Sequence, residues 1–219
     1  MKYHVFVDFD GTVTTDDVGY SFFKVFARGK AEEVVKKYRH GQITAVECLK
    51  GECDIYNEYP APMLEVKRFI GRQQLTPGFT EFVSFCRRRD YRLTIISAGF
   101  DFYIDPILGK NGLADIEVLS NKTIIKNGRI YPEFVYYDEK SCRRCSNCKG
   151  LRIKEMTEPG EISIFIGDGH SDDHGAEAAD IVFAKKFLAQ YLENIQKDYL
   201  PFETFHDVID KLATFLPGQ

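Results

Sequence analysis

Three short apolar runs, at residues 3–7, 91–97 and 161–166, each break off into small or acidic residues. Rich in β-branched and aromatic side chains and too short for ordinary helices, they read as buried strands. The first ends in Asp8-Phe9-Asp10-Gly11-Thr12, the second in Ser97-Ala98-Gly99, and the third in Gly167-Asp168-Gly169-His170-Ser171-Asp172-Asp173. Helical patterns separate the runs, and strands that alternate with helices imply a parallel sheet covered on both faces. The expected fold class is therefore α/β, with a Rossmann-like parallel sheet as its core.

Between the first two runs the pattern changes. From about residue 16 to 71, apolar residues recur at helical spacing (Phe22, Phe23, Phe26; Val34, Val35, Tyr38; Met63, Val66, Phe69, Ile70), broken by Gly29, Gly41 and Pro60-Ala61-Pro62. This predicts three or four helices without a strand, long enough to form a small helical cap inserted after the first strand. The expected organisation is a core of residues 1–14 and 76–219 and a cap of residues 15–75. Downstream, helices are predicted at 79–89, 101–108 and 151–156, and short strands at 116–119 and 181–184. A hairpin of 123–126 and 129–134 carries Asn127-Gly128, the signature of a type I′ turn. Two helices close the chain.

With 44% hydrophobic residues, 18 Phe and 12 Tyr, the chain has ample apolar mass for a core and does not resemble a disordered segment. Lys and Arg number 29 against 33 Asp and Glu, with no long basic run, so no nucleic-acid partner is expected. No stretch approaches the ~18 apolar residues that span a bilayer, and the short run before Asp8 does not read as a secretory signal. A soluble, cytoplasmic chain without a membrane partner is the expectation. Its oligomeric state is not legible.

In a parallel α/β sheet, ligands bind at the carboxyl ends of the strands. Asp8 and Asp10 taken alone also suit a turn or a helix cap. Two carboxylates at one strand end and two or three at another, however, repel one another unless a cation sits among them. The natural counter-charge is a hard divalent cation with oxygen ligands, such as Mg²⁺ held by a few carboxylates and a phosphate.

In this order, Asp8-Phe9-Asp10-Gly11-Thr12-Val13-Thr14, Ser97, Lys149 and the acidic segment from Gly167 to Asp173 resemble the four motifs of the haloacid dehalogenase superfamily of phosphohydrolases. The resemblance covers essentially the whole chain. Asp101-Phe102-Tyr103 after Ser97-Ala98-Gly99, and the Cys-rich approach to Lys149, are similar to the phosphoserine-phosphatase-like branch. The resemblance implies Mg²⁺-dependent hydrolysis of a phosphomonoester on a small phosphorylated metabolite, through an aspartyl-phosphate. Asp8 would be the nucleophile, Asp10 the general acid and then base, and Lys149 the neutralising cation. Asp8, Asp10 (through its carbonyl), Asp168 and Asp172 would serve the metal, with Asp172 alternatively holding Lys149. Thr12, Ser97, Ala98 and Gly99 would surround the phosphate. Asp17 stands where the branch contacts a substrate amino group, and equally suits a helix N-terminus. Asp173 reads as a helix cap, and Lys140 and Lys154 compete for the role of Lys149. The substrates implied are the methylthiopentenyl phosphate of methionine salvage, phosphoserine, or phosphoethanolamine and phosphocholine. A phosphotransferase using an acceptor alcohol and a cation-binding module without turnover are the alternatives.

The branch grips a substrate carboxylate with a cap Arg. The matching region here reads Lys50-Gly51-Glu52, without one, so Glu52 predicts a substrate that lacks a carboxylate. Should another cation reach the pocket, Arg28 and Lys50 are the candidates. Tyr20, Phe23, Phe102 and Tyr103 line an apolar pocket or belong to the core. Cys142, Cys145 and Cys148, at equal gaps, supply three of the four ligands of a structural Zn²⁺ site, with a His or Asp138 as the fourth. Reduced thiols, a labile disulfide and an iron–sulfur loop are the other readings. Cys48, Cys53 and Cys86 read as small core residues, His170 as facing the site entrance, and His174 as a helix-surface residue.

Overall fold

The computed structural model describes residues 2–215. Strand β1 (Lys2–Val7) runs through the middle of the sheet, and His4, Val5, Phe6 and Val7 are fully buried. It pairs in parallel with β2 (Arg92–Phe100) on one side and β5 (Glu161–Gly167) on the other. Next to β2 lie β3 (Glu117–Lys126) and β4 (Arg129–Glu133); next to β5 lie β6 (Ile181–Ala184) and β7 (Leu200–Pro201). Among the described residues the seven strands form one sheet of order β4-β3-β2-β1-β5-β6-β7, antiparallel only where β3 meets β4.

Successive side chains of a strand point to opposite faces, which divides the core into two layers. Val5, Val7, Ile164 and Ile166 join the layer of α5 (Phe79–Arg88) and α10 (Phe205–Phe215), where Phe205 packs on Phe79 and Phe82 at 4.8 and 5.1 Å between ring centroids. Phe6 and Phe165 face the other way, onto Ile153 of α7 (Lys149–Met156) and Leu188 and Leu192 of α9 (Lys186–Asn194).

Four helices, α1 (Val18–Phe26), α2 (Glu32–Arg39), α3 (Ala45–Glu58) and α4 (Met63–Gly71), follow β1. The chain enters and leaves this block side by side. Thr14 bridges Leu75, the Thr15 N–H donates to Gln74 O at 3.1 Å, and the Thr76 N–H donates to Val13 O at 2.8 Å. Phe22 of α1 makes ring contacts with Phe23, Phe26, Tyr56, Phe69 and Phe102, the last from α6 (Asp101–Lys110). Asn57 of α3 imitates a strand neighbour. Its Nδ2 donates to Ile130 O and its Oδ1 accepts from Ile130 N, both at 2.8 Å, which clasps the helical block to the β3–β4 hairpin.

The hairpin turn has Asn127 and Gly128 at φ 52° and 76°, the two positive values a type I′ turn requires. The strands expected at 116–119 and 123–126 are one continuous strand. The polar Ser120-Asn121 between them looks like a break, yet both are fully buried, and Asn121 Nδ2 donates to Ala98 O at 2.7 Å and Ser146 Oγ at 3.0 Å. Helix α7 starts at Lys149, two residues earlier than expected, and the two-residue β7 was not anticipated. No helix among the described residues is long and apolar enough to cross a membrane.

Phe22 is fully buried and ties the helical block to α6. Phe22→Ala should lower unfolding stability by about 3–5 kcal/mol, read from the urea midpoint at unchanged m-value. A loss under about 1 kcal/mol would mean that the aromatic cluster closes over the gap.

Candidate active site

β1, β2 and β5 deliver the acidic and small residues to one end of the sheet, on either side of the point where strand order changes direction. After β1 the chain turns sharply through Phe9–Val13. Gly11 takes φ 82° there, and a Cβ on it would press on the Asp168 carboxylate. The turn leaves Asp8 buried at its start and Asp10 two residues on, facing the same cleft.

Lys149 is the cation of this site. Fully buried at the first position of α7, its Nζ donates to Asp8 Oδ1, to Asp172 Oδ1 and, at 3.2 Å, to Ser171 Oγ. Burial works against its charge, but Asp172 and Asp8 outweigh that and hold Lys149 protonated, above its ordinary value. Burial and the Asp172 charge push Asp8 well above the usual carboxylate range, against the pull of Lys149. Lys140 and Lys154, the competing candidates, are exposed.

Asp172 is held on both sides. Its Oδ2 accepts from the N–H groups of Asp168 (2.9 Å) and Gly169 (2.7 Å), while Oδ1 takes Lys149. Asp168 accepts from Thr12 Oγ1 at 3.0 Å and from Lys186 Nζ at 2.8 Å. Thr12 is fully buried, so its hydroxyl is engaged with a carboxylate instead of turning to the cleft as expected for a phosphate ligand. Asp8, Asp168 and Asp172 offer oxygens that all lie within 4.8 Å of one another. Three buried carboxylates with oxygen-only donors fit a hard divalent cation such as Mg²⁺.

Asp10 is oriented by other partners. Its Oδ1 accepts from Val18 N (3.0 Å) and Gly19 N (3.1 Å), at the start of α1, and its Oδ2 accepts from the Tyr103 hydroxyl at 2.8 Å. Desolvation first, and then the charge of Asp17, push it up to about 7. Ser97 is fully buried and its Oγ accepts from Gly99 N at 2.9 Å. A Cβ on Gly99 would collide with the Tyr103 hydroxyl, so glycine is what lets Tyr103 reach Asp10.

The cleft has a volume of about 410 Å³. Its floor is Asp8, Asp10, Ser97, Ala98, Gly99 and Asp168; the wall from the helical block is Asp17, Tyr20, Phe23, Val35, Tyr38, Arg39, Cys48, Leu49 and Glu52. Asp17 caps α1, accepting from Tyr20 N at 2.8 Å, and also lines the cleft, so both of its expected positions are occupied at once. Tyr20, Phe23 and Tyr103 line it as well, whereas Phe102 packs on Phe22 and Phe100. His170 lies at the cleft against Phe187, with ring centroids 3.4 Å apart.

Three corrections concern charge. The region matched to the branch's cap Arg, Lys50-Gly51-Glu52, holds none, but Arg39 lines the cleft from the end of α2. The signal was the spacing of Val35, Tyr38 and Arg39, which puts all three on one helix face. The cations proposed in its place lie elsewhere, Lys50 over the Phe134 ring and Arg28 over Tyr59. Glu52 is buried and raised to about 8, by burial first and then by Asp17, so it stands largely protonated at neutral pH and is no fixed anion. Lys186 carried no sequence signal, since only the packing of β6 beside β5 brings the chain that follows it to Asp168. Asp173, expected as a cap, accepts from His174 N at 2.7 Å and pairs with Arg144. His174 is not a free surface residue: its Nδ1 lies among the sulfurs of Cys142, Cys145 and Cys148.

Comparison with known proteins gives a consistent picture. The family model of haloacid dehalogenase-like hydrolases matches residues 5–177. A 2-hydroxy-3-keto-5-methylthiopentenyl-1-phosphate phosphatase of Brevibacillus brevis is 33% identical over 95% of this chain and 94% of its own length. One of the same name from Bacillus thuringiensis is 32% identical over 99% and 98%. Among solved structures, a phosphoserine phosphatase with a phospho-aspartyl intermediate analogue superimposes with a TM-score of 0.74 at 20% identity, covering 96% of this chain and 98% of that one. A substrate-bound phosphoserine phosphatase gives 0.73 at 19%, with the same coverage.

The Glu52 environment predicts a pH effect. An unfolded Glu titrates near its ordinary value of 4.5, and the folded group near 8. Between them the unfolded chain binds fewer protons, so this group lowers stability as pH rises. Glu52→Gln removes that decline. Its Tm should stay close to the parent at pH 5 and exceed it at pH 9; a difference that does not grow with pH would mean Glu52 titrates normally.

Proposed function

The chain belongs to the haloacid dehalogenase-like hydrolase family and is a phosphatase, and on that premise we propose that it hydrolyses a small phosphomonoester with Mg²⁺ through an aspartyl-phosphate. The observation that carries this reading is the convergence of Asp8, Asp10, Ser97 and Asp168 at the ends of three adjacent strands, on the floor of one cleft, with the buried Lys149 ammonium from the start of α7 bonded to Asp8.

With Asp8 Oδ1 held by Lys149, we assign Oδ2 to attack on phosphorus. The P–O bond to the substrate alcohol breaks as the new bond forms, splitting one hard step into two. Asp10, raised to about 7, carries the proton that the leaving alkoxide needs. Once ionised, it takes a proton from the water that attacks the phosphoenzyme. The Tyr103 hydroxyl and the two α1 N–H groups keep its carboxyl aimed through both steps. Ser97 and the backbone at Ala98 and Gly99 receive phosphoryl oxygens, small side chains letting the anion approach closely. Asp8, Asp168 and the Asp10 carbonyl would hold Mg²⁺, which supplies charge for a phosphoryl group that would otherwise repel the carboxylates. Asp172, bonded to Lys149 through Oδ1 and to the Asp168 and Gly169 N–H groups through Oδ2, positions Lys149 and offers a further carboxylate beside the cation.

The wall from the helical block supports a substrate with an apolar tail. Phe23, Val35, Cys48 and Leu49 form a surface suited to a methylthio-alkyl chain, and the methylthiopentenyl phosphate is the substrate we propose. Arg39 on the same wall favours a second reading, a carboxylate-bearing substrate such as phosphoserine. The division expected from the sequence, a core of residues 1–14 and 76–219 and a cap of 15–75, is supported among the described residues by the paired connectors at Thr14–Leu75 and Thr76–Val13.

Asp8→Asn keeps the side-chain shape and removes the nucleophile. Its kcat should fall at least ~10³-fold with an unchanged circular dichroism spectrum. The parent, acid-quenched during turnover, should carry a phosphoryl group labile to hydroxylamine, and EDTA should stop turnover until Mg²⁺ is restored. Substantial turnover by the variant, or no trapped phosphoenzyme, defeats the covalent route. For the substrate, kcat/KM for the methylthiopentenyl phosphate should exceed that for phosphoserine by about tenfold or more, a margin a few methylene-sized contacts provide. The reverse ranking, with phosphoserine turnover lost in Arg39→Ala, would assign the cleft to a carboxylate.

A further inference from the structure

The loop of residues 134–148, between β4 and α7, contains no helix or strand, yet Ser146 and Asn147 within it are almost completely buried. A 15-residue irregular segment inside a compact fold needs something other than apolar packing to hold it. Part of the answer is polar. Asn147 Nδ2 donates to Ser97 O at 3.1 Å and Leu119 O at 2.9 Å, Ala45 N donates to Arg144 O at 2.9 Å, and Arg144 pairs with Asp173.

The remaining feature is a cluster of four donors. His174 Nδ1, on helix α8 (Asp173–Ala178), lies 3.8, 3.3 and 3.5 Å from the Sγ atoms of Cys142, Cys145 and Cys148. All four donor atoms lie within 4.8 Å of one another, and Cys145 and Cys148 are buried. A tetrahedral zinc ion with Zn–S near 2.3 Å and Zn–N near 2.05 Å separates its ligands by about 3.8 Å (S to S) and 3.6 Å (S to N). The three observed S-to-N distances bracket 3.6 Å, and the 4.8 Å span of the cluster admits the S-to-S separation.

We propose that Cys142, Cys145, Cys148 and His174 bind one structural Zn²⁺ ion. Three thiolates and an imidazole are borderline-soft donors that select zinc over the hard cation suited to the carboxylate cleft, so the chain carries two metal sites of different chemistry. A closed four-ligand set leaves no position for substrate, which makes the ion structural. Its location gives it a consequence. Cys148 immediately precedes Lys149, and His174 lies two residues after Asp172, so the ion ties together the backbones that carry the Lys149–Asp172 pair. The helices that meet there are closely apposed: a Cβ on Gly150 would collide with the His174 carbonyl, and one on Gly175 would reach 3.1 Å from Lys149 Cβ. This proposal goes beyond the hydrolytic reading, and its binding is measured without turnover.

The test uses full-length protein purified anaerobically with a reductant. Metal analysis should find one zinc per chain that survives gel filtration with a weak chelator. The apo protein titrated with Co²⁺ should develop the intense visible bands of a tetrahedral site and thiolate-to-cobalt charge transfer in the near ultraviolet. His174→Ala should weaken and shift those bands, Cys145→Ser should abolish them, and Asp168→Asn, in the other cluster, should leave them unchanged. Absence of both retained zinc and the tetrahedral cobalt spectrum in the parent overturns the proposal, whatever the variants do. So does an intact mass lower by two hydrogens, which marks a disulfide, or iron and sulfide in place of zinc.

Discussion

The buried ammonium of Lys149 is the interaction on which the rest of the site depends. It stands between two carboxylates, Asp8 and Asp172, each of which burial alone would drive towards its neutral form. Taking an ion pair out of water is costly, and it is recovered only when the remaining lone pairs also find partners. Here they do, since Asp172 collects two backbone N–H groups and Lys149 a third contact at Ser171. The arrangement sets a buried cation beside Asp8 at the end of the central strand, in a place that apolar packing would otherwise claim. The close approach of α7 and α8 at Gly150 and Gly175 lets the lysine reach both partners.

The acid–base group obeys a different constraint. Asp10 sits apart from Lys149's direct bonds and is fixed by the first turn of α1 and by Tyr103 of α6. Its orientation therefore depends on how the helical block is seated, and the Phe22 cluster and the Asn57 clasp set that seating. The same block provides the cleft wall. Substrate recognition and proton transfer are thus joined through one packed unit: a side chain that re-seats α1 changes the aim of Asp10 as well as the shape of the pocket.

Electrostatics on the wall illustrate why composition is a poor guide to specificity. Glu52 read as an anion that repels carboxylates, but burial and the Asp17 charge leave it mostly neutral near pH 7. Arg39 shares a helix face with Val35 and Tyr38, which the spacing shows, but only the packing of α2 decides that this face lines the cleft. Thr12 lies inside the first acidic motif, yet its hydroxyl is engaged by Asp168, 156 residues away in sequence.

The alternation of strands and helices, the inserted helical block, the type I′ turn and the small or acidic ends of three strands were all legible, because each follows from side-chain periodicity or turn chemistry within a few residues. The placing of Asp8, Asp10, Ser97 and Asp168 at strand ends was legible for the same reason, whereas Lys149 stood out only through the resemblance to a family's ordered motifs. Only the tertiary structure decided which charges meet. It joined β3 into one strand by burying Asn121 against Ala98, turned Lys186 onto Asp168, and brought His174 to three cysteines from another loop. Those pairings are long-range, and their energies depend on distance and burial, which a chain acquires only when its elements pack.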